Sequence, residues 1–371
     1  MPKERQPTVR DVARVAGVSP ATVTNVLHGR TQRISPQTRD RVLQAIRDIR
    51  YRPKPHSPGR GEVGNRTLGF VLQESSFSPH SPLASTSYSG EIFGGVLATT
   101  VAHGWVTSVF VETYWSDIGQ AIRSRYDGRA DAVILMASTI DNDSYVSFVE
   151  RGVPTIIVGS SSDRPGVSTV DITNQESAAE LTLHLVELGH RRIAYIAPSP
   201  RQYSMLERAA GVRSVTDEHG LDRDECPILA EYHPVVETPH WDEIPLAVKN
   251  EFRLHHGNTD DILRSLYGPG GVRPTAIVAW NHDVAVSTLS GLRELGLRVP
   301  EDVSVAAFDD TVAMREGDPP VTVIRQPLTS IGKRAAGIAI QRVLDPTVGD
   351  EQVRFSGELV VRSSTAPPSS I

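Results

Sequence analysis

From Thr67 onward the chain repeats one pattern: a short run of β-branched and aliphatic residues, then a longer stretch with helical spacing. The runs include 67–72, 106–111, 132–136, 155–158, 192–196, 276–280 and 303–308. The helical stretches include 90–103, 142–151, 174–188, 205–219, 258–267 and 283–295. Strands separated by helices pair through crossovers, so the pattern predicts parallel sheets covered by helices on both faces. Some 300 residues of it exceed one comfortable unit, which predicts an α/β body of two lobes. Segments 74–90, rich in Ser and Pro, and 231–257 read as long loops or insertions.

The first sixty residues are a different kind of chain. They carry thirteen Lys or Arg against four Asp or Glu, a net +9, so the remainder of a −6 protein carries −15. A basic head on an acidic body predicts a polyanion-binding module joined to something that is not one. The head has helical punctuation. Thr8 is placed to cap a first helix that turns Val9, Val12, Ala13 and Ala16 to one side, with Asp11 in its first turn. Gly17-Val18 makes a tight turn, and Ser19-Pro20 starts a second helix that turns Val23, Val26 and Leu27 inward. Val18 and Val23 can form a hydrophobic staple across that start. Ser35-Pro36 repeats the signal for a third helix running to about Arg50, with Val42, Ile46 and Ile49 on its stripe.

Helix, tight turn, second helix and packing helix make a helix-turn-helix head, whose second helix enters the major groove of DNA. Pro20, Ala21, Thr24 and Asn25 are free of the core stripe and can face base edges, Asn25 toward an adenine and Ala21 toward a thymine methyl. Thr8, Arg10, Ser19, Thr22, His28 and Arg33 are the further candidates of this face; Ser19, Thr22, Arg10 and Arg33 suit phosphate. A three-helix bundle without a ligand is the plain alternative.

Other classes fall away. At 39% hydrophobic the chain can bury real cores, and no stretch approaches the ~20 apolar residues of a membrane helix. Met1-Pro2-Lys3-Glu4-Arg5 leads into no apolar h-region, so a cytoplasmic protein is expected. The single Cys226 leaves no internal disulfide and no Cys-based zinc site. Gly159-Ser160-Ser161-Ser162 is not a nucleophile elbow, and Gly268-Pro269-Gly270-Gly271 lacks the Lys-Ser/Thr of a phosphate loop. His255-His256, with His233 and His240, lacks metal-ligand spacing. No catalytic residue, metal or cofactor is expected.

The chain resembles the lac repressor (LacI/GalR) family of bacterial transcription regulators. The resemblance rests on Thr8-Val9-Arg10-Asp11-Val12-Ala13, on Ala16-Gly17-Val18-Ser19 and on Ala21-Thr22-Val23-Thr24-Asn25-Val26-Leu27. It continues in Leu188-Gly189-His190-Arg191-Arg192-Ile193-Ala194, Arg208-Ala209-Ala210-Gly211, Gly296-Leu297-Arg298-Val299-Pro300-Glu301-Asp302-Val303, Phe308-Asp309-Asp310 and Arg325-Gln326-Pro327. It implies a head over 1–52, a Pro/Gly-rich linker over 53–66 and an effector-binding and dimerisation body over 67–371. The body would be two Rossmann-like lobes of the periplasmic-binding-protein type, about 67–171 with 328–352 and about 172–326 with 353–365, crossed three times. An effector would bind in the cleft, at the carboxyl ends of strands. Arg208 and Asp309 fall on the family's effector contacts, and Tyr88 and Trp280 near pocket positions.

Departures matter. Asn281-His282 stands where the family usually has Asn-Asp, and Thr173-Asn174 where it usually has Asp-Asn. The loop 75–88 replaces an Asn-Pro-aromatic element. These changes point to a pocket of altered polarity, suited to a larger or modified glycan fragment. In the linker, the apolar residue that family members wedge into the minor groove falls on Arg60, and Pro58-Gly59 would break a hinge helix. Arg60 is expected either to approach a narrow minor groove or to add charge alone. The expected protein is a repressor: a homodimer on a palindromic operator, controlled allosterically by a small polar metabolite, a sugar or glycoside. A solute-binding protein without operator binding, and a cleft enzyme, are the rivals. The tail after Ser364 has no heptads to support a coiled-coil tetramer.

Overall fold

A computed structural model of the chain describes residues 7–27, 34–49, 51, 66–73, 87–112, 129–136, 145–198, 203–232 and 252–369. The head forms α1 (Val9–Ala16), α2 (Pro20–Leu27) and α3 (Pro36–Asp48). Local chemistry starts each helix. Thr8 and Asp11 make a reciprocal capping box, Gly17 closes α1 in the left-handed region at φ 65°, and the Ser35 hydroxyl accepts from the Thr38 N–H. The Ser19 hydroxyl accepts from the Thr22 N–H at 3.1 Å. Val12, Ala13, Ala16, Val23, Val26, Val42, Ala45 and Ile46 bury one core, with Val18 packed at its edge. Of the stripe expected on α3, Val42 and Ile46 are buried and Ile49 packs against them partly buried, while Ala45, not expected, joins the core.

The chain divides into two compact units. One takes in the described residues up to Val170 together with Leu328–Val353, the other Asp171–Pro327 and the segment from Arg354 on. The first holds a six-stranded sheet made from β1 (Thr67–Gln73), β2 (Val106–Glu112), β3 (Ala132–Met136), β4 (Thr155–Val158), β5 (Val167–Ile172) and β12 (Gln352–Phe355). Its order is β12-β5-β4-β3-β1-β2, with β1 to β5 parallel. Helices α4 (Ser87–Ala102), α5 (Val146–Glu150) and α11 (Leu328–Leu344) belong to it. α4 and α11 touch backbone to backbone: a Cβ on Gly332 would fall 2.0 Å from the Ile92 carbonyl oxygen.

The second unit holds a seven-stranded sheet of β6 (Ile193–Ala197), β7 (Ile228–Tyr232), β8 (Arg253–His256), β9 (Ala276–Ala279), β10 (Ser304–Phe308), β11 (Thr322–Arg325) and β13 (Glu358–Val360). Its order is β13-β11-β10-β9-β6-β7-β8, parallel except for β13. Helices α6 (Asn174–Glu187), α7 (Tyr203–Glu218), α8 (Thr259–Tyr267), α9 (His282–Glu294) and α10 (Val312–Glu316) accompany it. From β6 the chain builds outward through β7 and β8, then returns to build the other way through β9, β10 and β11. The order therefore reverses between β6 and β9, where an open α/β sheet leaves a crevice at its carboxyl edge.

Two loop expectations are corrected. Segment 231–257 contains the end of β7 and the whole of β8, which adds to β7 in parallel. An edge strand needs no alternating apolar face, so Arg253-Leu254-His255-His256 gave no strand signal. Segment 74–90 likewise ends inside α4, whose first residue is Ser87. Linker residues 53–65 lie outside the described residues, and with them the hinge-helix expectation.

His190 pins the second unit. Its Nε2 lies 2.9 Å from the Ala366 carbonyl, which can only accept, so Nε2 carries a proton; Nδ1 faces the Thr275 hydroxyl at 2.9 Å. Burial holds its pKa below 6.5, against the opposing bond to Ala366. The unfolded chain takes up the proton first as pH falls, so this histidine stabilises the fold above 6.5 and the contribution fades below it. His190→Ala is expected to cost about 2 kcal/mol near neutral pH, and the gap from wild type to narrow as the buffer is acidified. Denaturant titrations across that pH range check both.

Candidate functional site

Four neighbouring strands, β11, β10, β9 and β6, end on one edge of the second sheet, and the residues just beyond them form a polar cluster. Arg208 enters from α7, whose approach is fixed by Gly211: a Cβ there would fall 2.2 Å from the Gln175 carbonyl oxygen of α6. That close contact also sets Asn174, the first residue of α6, beside Arg208. The Arg208 guanidinium is buried. Its Nε donates to Asn174 Oδ1 at 2.9 Å, its Nη1 donates to the Trp280 carbonyl, and its Cζ lies 3.7 Å from the centroid of the Phe308 ring. The Trp280 ring lies 5.7 Å from the same carbon.

Asp309 follows β10 in the left-handed region at φ 75°, which costs an L-residue roughly 1–2 kcal/mol. Its carboxylate is buried. Oδ1 accepts from Gln326 Nε2 at 2.6 Å and Oδ2 faces His282 Nδ1 at 3.3 Å. Burial works to raise the Asp309 pKa, but the bond from His282 and the Arg208 charge more than offset it, and the carboxyl stays below the ordinary range. Burial lowers His282 in turn, while the bond to Asp309 and the charges of Asp309 and Asp283 carry it above 6.5. Behind Arg208, Asn174 Nδ2 donates to Asp171 at 3.0 Å and to Glu207 at 3.2 Å, and Glu207 pairs with Arg354 at 2.8 Å. Burial pushes the Asp171 carboxyl up to about 6, against its bond from the Ile172 N–H and the Arg208 charge.

Two buried polar atoms here find no partner among the described residues: Trp280 Nε1 and Gln326 Oε1. Each would cost about 1–3 kcal/mol if left unpaired. One can only donate and the other can only accept. A ligand with hydroxyl groups offers both, and Arg208 with Asp309 offers the same pairing of donor and acceptor. The cluster has no nucleophile–base pair, and among the described residues no group of His, Cys, Asp or Glu is arranged to hold a metal ion.

Of the sequence candidates, the structure brings Arg208, Trp280, His282 and Asp309 together. Asn281 lies beside them, with its side chain given to capping α9: Oδ1 accepts from the Val284 N–H at 3.0 Å. Tyr88 is half-buried in the first turn of α4 and belongs to the other unit. Asn174, Gln326 and Phe308 were quoted from the sequence without a role; their only signal was position, at a helix start or a strand end.

In the head, Arg10, Ser19, Pro20, Ala21 and Thr24 are exposed, and Thr8, Thr22 and Asn25 half-buried. The Thr8 side chain is held by Asp11, Ser19 and Thr22 share a hydrogen bond at 2.9 Å, and the Thr24 hydroxyl donates to the Pro20 carbonyl. His28, Arg33 and Arg60 lie outside the described residues. No described helix is long and apolar enough to cross a membrane.

Known proteins bear on this arrangement. The family profile described as "Bacterial regulatory proteins, lacI family" matches residues 8–54, and that described as "Periplasmic binding protein-like domain" matches 182–365. The chain is 26% identical over 364 residues to the HTH-type transcriptional repressor PurR of Aliivibrio fischeri (strain MJ11), covering 96% of this chain and 98% of that one. It is 29% identical over 371 residues to the HTH-type transcriptional regulator CelR of Thermobifida fusca, covering 98% and 100%. A solved transcriptional regulator CelR–cellobiose complex has the same fold, with a TM-score of 0.65 at 24% identity over 97% of this chain and 100% of that one. A helix-turn-helix head on a periplasmic-binding-protein-like body defines a DNA-binding regulator of transcription, not an enzyme. The chain carries the DNA-binding domain of the lacI family of bacterial regulatory proteins joined to a periplasmic-binding-protein-like domain, as its regulator relatives do.

His282 should titrate above 6.5 by NMR, and Asp309→Asn should bring its midpoint down, because burial alone lowers it. An unchanged midpoint in the variant would mean that the two side chains do not interact in solution.

Proposed function

We propose that the chain represses transcription from a palindromic operator and that a sugar or glycoside, bound by the cluster around Arg208 and Asp309, changes its hold on DNA. The observation that carries this is the burial of Arg208 and Asp309 at the point where the sheet order reverses, beside the unpaired Trp280 N–H and Gln326 carbonyl. A guanidinium fork and a two-oxygen acceptor suit a hydroxyl-rich ligand, and the cellobiose of the CelR complex is of that class. On the DNA side, Pro20, Ala21, Thr24 and Asn25 would meet base edges. Thr8, Arg10, Ser19 and Thr22 would meet phosphate, with His28, Arg33 and Arg60 as further contacts. A regulator that grips the chromosome works in the cytoplasm.

A palindrome asks for a two-fold protein. The first unit offers a surface for a second copy: Leu97 and Val101 of α4 and Val106 and Val109 of the edge strand β2 are 37%, 75%, 60% and 41% exposed. A ligand moves the operator equilibrium only by binding the two states with different affinity. A coupling of ~1–3 kcal/mol would change operator affinity roughly 5–150-fold.

Three measurements test this reading. Selection of genomic fragments by the purified chain at modest salt should return a palindromic sequence; no selection at all would overturn the reading. On that operator, Asn25→Ala should cost ~1–3 kcal/mol at one base pair per half-site. Uniform weakening on every sequence would make Asn25 a backbone contact. A panel of neutral mono- and disaccharides, cellobiose included, should contain one that shifts operator affinity, and Arg208→Ala should abolish that shift while operator binding persists. Separately, Val101→Asp should turn dimers into monomers in sedimentation without loss of helical circular dichroism.

A further inference from the structure

We infer that Asn174 and Gln326 are positioning residues that tie Arg208 and Asp309 to the segments where the chain passes between its two units. This rests on the ligand site proposed above and adds the route by which that site reaches the rest of the protein. Among the described residues the chain makes three such passages, at Val170–Asp171, Pro327–Leu328 and Val353–Arg354. A residue at or next to each passage is bonded into the ligand cluster. At the first, Asp171 accepts from Asn174 Nδ2, whose Oδ1 accepts from Arg208. At the second, Gln326 donates to Asp309. At the third, Arg354 donates to Glu207, which accepts from the same Asn174 amide.

Asn174 is fully buried, and its side chain is used on both sides. Its oxygen serves the guanidinium, and its nitrogen serves two carboxylates at the first and third passages. Rotating the amide to follow Arg208 breaks both carboxylate bonds together. Gln326 is used at one end only: its nitrogen is fixed on Asp309, and its oxygen, one residue before Pro327, has no partner among the described residues. A ligand that pulls on Arg208 and Asp309 therefore pulls on all three passages. Plain packing would not need amides with opposed donors and acceptors at two separate passages.

Hydrogen exchange on the full chain separates the two accounts without a ligand. The Ile172 N–H donates to Asp171 Oδ1 and the Thr173 N–H to the Phe355 carbonyl, so these amides report on the first and third passages. Asn174→Asp keeps the acceptor for Arg208 and removes the donor for Asp171 and Glu207. It should speed exchange at 171–173 and 353–356 by tenfold or more and leave 325–328 unmoved. The double exchange Asp171→Asn with Asn174→Asp restores a donor–acceptor pair and should return 171–173 to within threefold of wild type. Gln326→Met should act on 325–328 alone. Arg208→Lys, which loses the bond to Asn174, should speed 171–173; it carries the test if Asn174→Asp does not fold. Unchanged exchange at 171–173 in Arg208→Lys, or an equal increase throughout the second unit, overturns the inference. Saturating cellobiose should shift exchange at all three passages in wild type and only at 325–328 in Asn174→Asp. If cellobiose changes nothing in wild type, that sugar is not the ligand, and the Arg208→Lys result decides the inference.

Discussion

A guanidinium taken out of water must be hydrogen-bonded from several directions, and Arg208 places that demand on the whole carboxyl edge of the second sheet. Each partner comes from a different part of the chain: Asn174 from the start of α6, Trp280 from the end of β9, Phe308 from the end of β10. Those elements meet only if β6 and β9 are neighbours, and they are neighbours only because the sheet is built outward in two directions from β6. The reversal of strand order, the close contact at Gly211 and the polar cluster thus follow from one requirement.

The charge of the cluster is arranged in pairs. His282 answers Asp309, and Arg354 answers Glu207, while Arg208 lies within electrostatic reach of both Asp171 and Asp309. Asp309 keeps its negative charge despite burial because a histidine and an arginine face it. Asp171, with its charge partner held off behind an amide, is the carboxyl that burial pushes up to about 6. Such near-neutral pairing favours a ligand that brings dipoles, which hydroxyl groups do. The head works by the opposite rule. Its excess of positive charge has no internal answer, which suits a module whose partner is a polyanion.

What could be read in the sequence divides along the same physical line. Cap chemistry is local, so Thr8, Ser19-Pro20 and Ser35-Pro36 announced three helix starts that the structure contains. Buried parallel strands are continuous apolar runs, so β6, β9 and β10 were visible, whereas β8, with an arginine and two histidines in four residues, was not. Arg208 and Asp309 were reached only through the family resemblance. Asn174 and Gln326 carry no local mark of their use, because Arg208 and Asp309, the groups they hold, lie 34 and 17 residues away. Departures such as His282 could be noticed from sequence, but the meaning of this one, a histidine held above its ordinary pKa by Asp309, needed the fold.

The way these amides are used also limits how a ligand can act. A hydroxyl group that added bonds to Arg208 while leaving Asn174 in place would bind both states of the protein equally and change nothing at the operator. Coupling requires that the ligand's interactions differ between the two states, and giving up a bond of the unliganded cluster is one way to achieve that. The Asn174 and Gln326 amides are the candidates, since each holds a group of the proposed ligand site with one end of its amide; the other end of Asn174 is bonded to Asp171 and Glu207, and that of Gln326 is unpaired. Losing one such bond, at roughly 1 kcal/mol net, matches the lower end of the ~1–3 kcal/mol typical of coupling between two sites. A few hydrogen bonds at three chain passages are therefore sufficient in magnitude to convert occupancy of a small site into a change in hold on DNA.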